Sequence, residues 1–130
     1  MSEPHERWFR KAGNDLMAAR LLAGIENAPR DVILFHCQQA VEKYLKGYLV
    51  FRGVKLRKLH DLAYLLDLCA LQDQDFHKLE AVHNEMQGYA VEVRYPDELG
   101  EEDGTMDEVR AALRLAERVS EFVRLKVAAA

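Results

Sequence analysis

Arg94-Tyr95-Pro96-Asp97 places three useful groups in one short stretch: a guanidinium that can grip a phosphate through paired hydrogen bonds, a ring that can stack on a base, and a carboxylate that can orient either. The same residues also suit a plainer task, in which Arg94 bonds the open carbonyls ending a helix and Pro96-Asp97 shapes a turn. His60-Asp61 is the second pair. An aspartate beside a histidine can tune a proton-transfer group, yet Asp61 is equally a good helix cap. Arg52, Lys55, Arg57, Lys58 and His60 crowd one connection, whereas Asp97, Glu98, Glu101, Glu102, Asp103, Asp107 and Glu108 crowd another with no base among them. Charge is segregated by loop.

The remaining polar groups point to less. Arg110, Arg114 and Arg118 recur every fourth residue and could track a phosphate backbone, but Glu117 and Glu121 dilute that field into an ion-paired helix face. His77 and His83, six apart on a helix, face about 120° away from each other and make no joint metal site. No other metal-ligand cluster stands out, so neither metal nor cofactor is expected. Gly100 and Gly104 flank acids that would repel phosphate, which leaves a bound nucleotide to arginine and lysine side chains. Cys37 and Cys69 both sit in apolar helical context and read as buried free thiols.

A chain of 130 residues fits one domain able to bury a core without disulfides. A net charge of −4 argues against a surface that grips nucleic acid all over, while allowing a local basic site. No run approaches the roughly 20 apolar residues that span a bilayer, and no apolar stretch follows the charged start. A cytoplasmic setting without membrane contact is the expectation.

These residues must be positioned by helices, because apolar residues recur at helical spacing and almost nothing alternates with period two. Trp8, Phe9, Ala12, Leu16, Ala19 and Leu22 mark a first helix from about Pro4 to Ile25, closed by Asn27-Ala28-Pro29. Asp31 is placed to cap a second, running to Arg52 with Gly53 as its stop. His60 or Asp61 opens a short third helix to Leu71, and Asp73 caps a fourth carrying Phe76, Leu79, Val82, Met86, Tyr89 and Val93 up to Pro96. Thr105 and Glu108 have capping-box spacing, so a fifth helix starts there with Val109, Leu113, Ala116, Val119 and Val123 inward. The fold class is all-α: an antiparallel up-and-down bundle of four long helices plus one short inserted helix. Counting one reversal per helix brings the basic connection, His60-Asp61 and the segment from Arg94 to Gly104 to the same end.

The second helix carries a further signal. Ile33, Cys37, Ala40, Tyr44, Tyr48 and Phe51 form one apolar stripe, with Leu34, Val41, Leu45 and Leu49 beside it. Gln39, Glu42, Lys43 and Lys46 lie opposite, with Val32, Phe35 and Val50 among them. A helix apolar on two sides is central in its bundle or covered by a partner. Val32, Phe35, Gln39, Lys43, Lys46 and Val50 are therefore the candidate interface of a twofold dimer, with coverage by the first helix as the alternative. The polar ridge itself also reads as a solvated face on which Glu42 and Lys46 pair one turn apart.

His36-Cys37-Gln38-Gln39-Ala40-Val41-Glu42-Lys43-Tyr44-Leu45-Lys46, then His60-Asp61-Leu62, then Arg94-Tyr95-Pro96-Asp97 recur in an order that resembles the HEPN family over about residues 8–123. The resemblance implies one helical domain across residues 1–130, like the stand-alone prokaryotic members that are paired with a minimal nucleotidyltransferase. It implies a homodimeric binding module with a nucleotide or RNA held near Arg94, Tyr95, Asp97, His60, Asp61, Arg57 and Lys58. Catalytic members carry an arginine followed a few residues later by a histidine, in which the histidine helps activate a ribose hydroxyl and the arginine stabilises developing charge. Arg94 matches that arginine, but nothing after it is histidine, so a noncatalytic or weakly catalytic module is expected. Arg94 with His60 would be the catalytic pair of the alternative, a metal-independent ribonuclease toxin of a toxin-antitoxin pair; a structural dimer without ligand is the third reading. Arg30 and His36 show a similar spacing, but in one helix they face about 120° apart.

Overall fold

The computed structural model describes residues 3–57, 61–86 and 104–130. These form α1 (Pro4–Ala23), α2 (Arg30–Phe51), α3 (Leu62–Gln72), a 3-10 helix (Gln74–Leu79) leading into α4 (Glu80–Met86), and α5 (Met106–Ala129). The architecture is all-α, an up-and-down bundle with α3 as the short inserted helix.

Most boundaries follow from local chemistry. Asp61 accepts from the N–H groups of Ala63 and Tyr64, Asp73 from that of Asp75, and Thr105 from that of Glu108, so each quenches a donor left open by a helix start. Gly53, at φ 78°, takes the left-handed conformation that ends α2. Two expectations need correction. Asp31 does not cap α2: Pro29 occupies the N-cap without a side-chain bond, and Asp31 sits inside the first turn, where a carboxylate favours the helix dipole. The fourth helix is not α-helical from its cap, because its first six residues close the tighter 3-10 turn.

Directions are fixed by side-chain contacts. The His5 ring lies 5.0 Å from that of Phe51, so α1 runs antiparallel to α2. A Cβ on Gly104 would stand 2.8 Å from Leu34 Cδ1, and Arg124 Nη2 donates to the Tyr44 hydroxyl at 3.3 Å, so α5 climbs parallel to α2. The Phe76 ring lies 4.4 Å from that of Tyr48, while Leu79 and Val82 share with Val41 and Leu45 the wall of an apolar void of about 10 Å³. The fourth element therefore descends.

Here the reversal count fails. Leu62 lines the same void as Val41 and Leu45, whereas Cys69 Sγ donates to the Leu45 carbonyl at 3.7 Å and Phe76 reaches Tyr48. The descent from Gly53 is thus made before α3 begins, with Val54 and Leu56 packed on the core, and α3 rises obliquely instead of descending. One helix fewer turns the chain round. Gly104 consequently lies by the N-terminal part of α2, at the opposite end from Gly53.

Candidate functional site

α2 carries the least expected chemistry. Gln38, Glu42 and Lys46, spaced one turn apart, are 7%, 3% and 6% exposed, not solvated as a polar ridge would be. Lys46 Nζ lies 3.4 Å from Glu42 Oε1 and 5.6 Å from the centre of the Trp8 ring. Each buried charge loses several kcal/mol of hydration, roughly, unless a partner and further hydrogen bonds replace it. Apolar residues would close this flank more simply. The buried ion pair and the buried amide thus place three hydrogen-bonding side chains along one side of α2.

Two helix starts border this flank. Leu62, the first residue of α3, stands level with Val41 and Leu45, and Gly104, just before α5, stands against Leu34. Asp61 spends one carboxylate oxygen on the α3 cap, at 2.9 Å from Ala63 N and 3.4 Å from Tyr64 N, and Arg57 is exposed. Lys58, His60, Arg94, Tyr95 and Asp97 lie outside the described residues.

A family model described as HEPN domain matches residues 5–126. The chain belongs to the HEPN domain family. The crystal structure of an archaeal HEPN homologue superposes with a TM-score of 0.75 at 23% identity, covering 97% of this chain and 99% of that one, a likeness of fold. No curated protein matches.

In this HEPN chain the candidate interface residues divide. Val32 and Phe35 remain 36% and 43% exposed, and Gln39 and Val50 are half-buried. Lys43 instead turns to α1: its Nζ lies 2.5 Å from Asp15 Oδ2, whose other oxygen is 2.8 Å from His36 Nδ1. That cluster commits the His36 imidazole to holding two helices together. Sequence inspection missed it, because Asp15 looks like any surface acid until the register of α1 on α2 is known. The register itself is set by Gly47, where a Cβ would stand 2.6 Å from Phe9 Cε1 and 3.0 Å from Trp8 Cβ.

A second polar cluster was also missed. Lys126 Nζ lies 2.9 Å from Asp73 Oδ2 and 2.5 Å from Asp75 Oδ2, tying the end of α5 to the 3-10 helix. Hydrogen bonds from Lys126 and from the Asp75 N–H hold the Asp73 carboxyl below its ordinary range, while Asp73 and then Asp75 raise the Lys126 ammonium. Two of the outer arginines of α5 have partners: Arg110 pairs with Asp107 at 2.6 Å within the helix, and Arg118 Nη2 donates to the Lys78 carbonyl of the 3-10 helix at 3.2 Å. His77 pairs with Glu80 at 2.8 Å. Among the described residues no group of three potential ligands gathers for a metal. Both cysteines are buried free thiols; burial pushes Cys37 up to about 12 and raises Cys69 as well, so neither is a nucleophile near neutrality. No helix among the described residues is long and apolar enough to cross a membrane.

Proposed function

We propose that this HEPN chain is a binding module that works as a pair of copies, acts beside a nucleotidyltransferase-type partner, and holds a nucleotide along the flank of α2. The observation that carries this reading is the buried Gln38–Glu42–Lys46 stripe, bordered by the starts of α3 and α5. In sequence, Lys58 and His60 precede the start of α3, and Arg94, Tyr95 and Asp97 precede that of α5. Phosphate oxygens would meet Arg94, Arg57 and Lys58, and a base would stack on Tyr95. Exposed Val32 and Phe35 supply the apolar centre that pairing of two copies needs. The absence of histidine after Arg94 favours binding over ribose-directed cleavage.

Thermal melts with ATP, GTP, CTP and UTP test the binding reading. A ligand at about 100 times its dissociation constant adds about 2.7 kcal/mol of stability, and Arg94→Ala removes most of that gain. No shift at millimolar nucleotide would end it. Cleavage of RNA in a chelator, abolished by Arg94→Ala, would replace it with the ribonuclease. Sedimentation tests pairing separately: Phe35→Asp converts a dimer to monomer, and an unaltered mass refutes the α2 interface.

A further inference from the structure

We propose that the outer face of α1 is a docking seam for an acidic amphipathic helix of a partner protein. Arg7, Arg10, Asn14, Met17 and Leu21 follow one another at alternating steps of three and four, the spacing of the seam through which one helix packs on another. They lie opposite Phe9, Ala12, Leu16 and Ala19, which face the core. All five seam residues are exposed, Met17 at 57% and Leu21 at 66%, and Ile25 continues the apolar end at 58%. The seam runs for about 21 Å, or four turns.

Its two halves differ in kind. Toward the N-terminus Arg7 and Arg10, with Lys11 beside them, make no ion pair among the described residues; Glu3 and Glu6 stand one turn earlier without closing on them. Arg20, Lys43, Arg110 and Lys126 have carboxylate partners, while exposed Lys55, Arg57 and Arg114 share with Arg7 and Arg10 the lack of one among the described residues. Toward the C-terminus the seam is apolar. This polarity decides the occupant. A second copy laid parallel would set Arg7 and Arg10 against themselves, and one laid antiparallel would set them against Leu21 and Met17. The complementary surface is a parallel helix with carboxylates in its first two turns, where the dipole also favours them, and leucines in its last two. This seam is separate from the Val32–Phe35 face, so it stands whether or not the chain forms pairs.

A labelled synthetic helix of that design is the probe, read by fluorescence anisotropy against a peptide of the same composition with the heptad order scrambled. The designed helix is expected to bind at least about 10-fold more tightly than the scramble. Arg10→Glu and Leu21→Ser, both at exposed positions, should each weaken it several-fold while leaving the melting temperature of the free protein unchanged. Raising salt from about 0.05 M to about 0.5 M should weaken binding further. Equal affinity for the two peptides overturns the proposal. So does preferential binding of anionic phosphatidylserine vesicles, or self-association that disappears in Leu21→Ser, since each names a different occupant.

Discussion

Two of the contacts between helices in this bundle work by opposite means. Where α1 meets α2, a glycine lets backbones approach, the Phe9 ring lies over it, and Asp15 and Lys43 close the edge. Where α5 meets the 3-10 helix, a single lysine reaches two aspartates across a partly exposed surface. The first seam excludes water and is sensitive to shape. The second is sensitive to charge, and solvent screens it.

The contrast is broken most forcefully from the packed side. Phe9→Ala removes a ring that is 7% exposed and should cost about 3–5 kcal/mol in a denaturant titration. A loss below about 1 kcal/mol would mean that α1 is only loosely held. Glu42→Ala removes one partner of the buried Lys46 and should cost up to about 3–5 kcal/mol, whereas the double change Glu42→Leu with Lys46→Met should regain most of it. Regained stability without regained nucleotide binding would identify the ion pair as kept for ligand and not for fold. Gly47→Ala comes next: overpacking against Phe9 and Trp8 costs about 1–3 kcal/mol, reduced by the roughly 1 kcal/mol that alanine gains in a helix interior.

The charged seam should give the smallest effect, confined to acid. Because the folded Asp73 carboxyl lies below its ordinary range, its contribution is complete above that range and drains away as pH falls through the lowered folded value. Lys126 shifts upward, so its contribution is lost only as pH rises through the raised ammonium value. Stability from this clasp is therefore flat near neutrality. Asp73→Asn, which can still cap the 3-10 helix, should leave the neutral melting temperature nearly unchanged and flatten the acid limb of a stability-against-pH curve. An unchanged acid limb would show the clasp to be inert.

What could be read from sequence was local. Asp61, Asp73, Thr105 and Gly53 act within a few residues of themselves, so their roles follow from spacing alone. The long-range order was harder. Residues 54–57 carry no helical pattern and look like a simple connection, yet Val54 and Leu56 pack on the core, and α3 starts level with the middle of α2. The count of reversals therefore ran one ahead of the chain. Periodicity also shows that α2 has two apolar sides and a polar ridge, but not that Trp8 would lie over Lys46. That depends on register, which Gly47 sets through contact with a helix some forty residues earlier in the chain, about the span from Phe9.

The parallel course of α2 and α5 has a kinetic side. Tyr44 and Arg124, which meet across that pair, are 80 positions apart in the chain. Every contact of this kind closes a large loop before it returns any energy, so the bundle should fold more slowly than a simple helical hairpin array of its size. The α1–α2 hairpin, with its short turn, is the expected nucleus, and α5 is expected to dock after it.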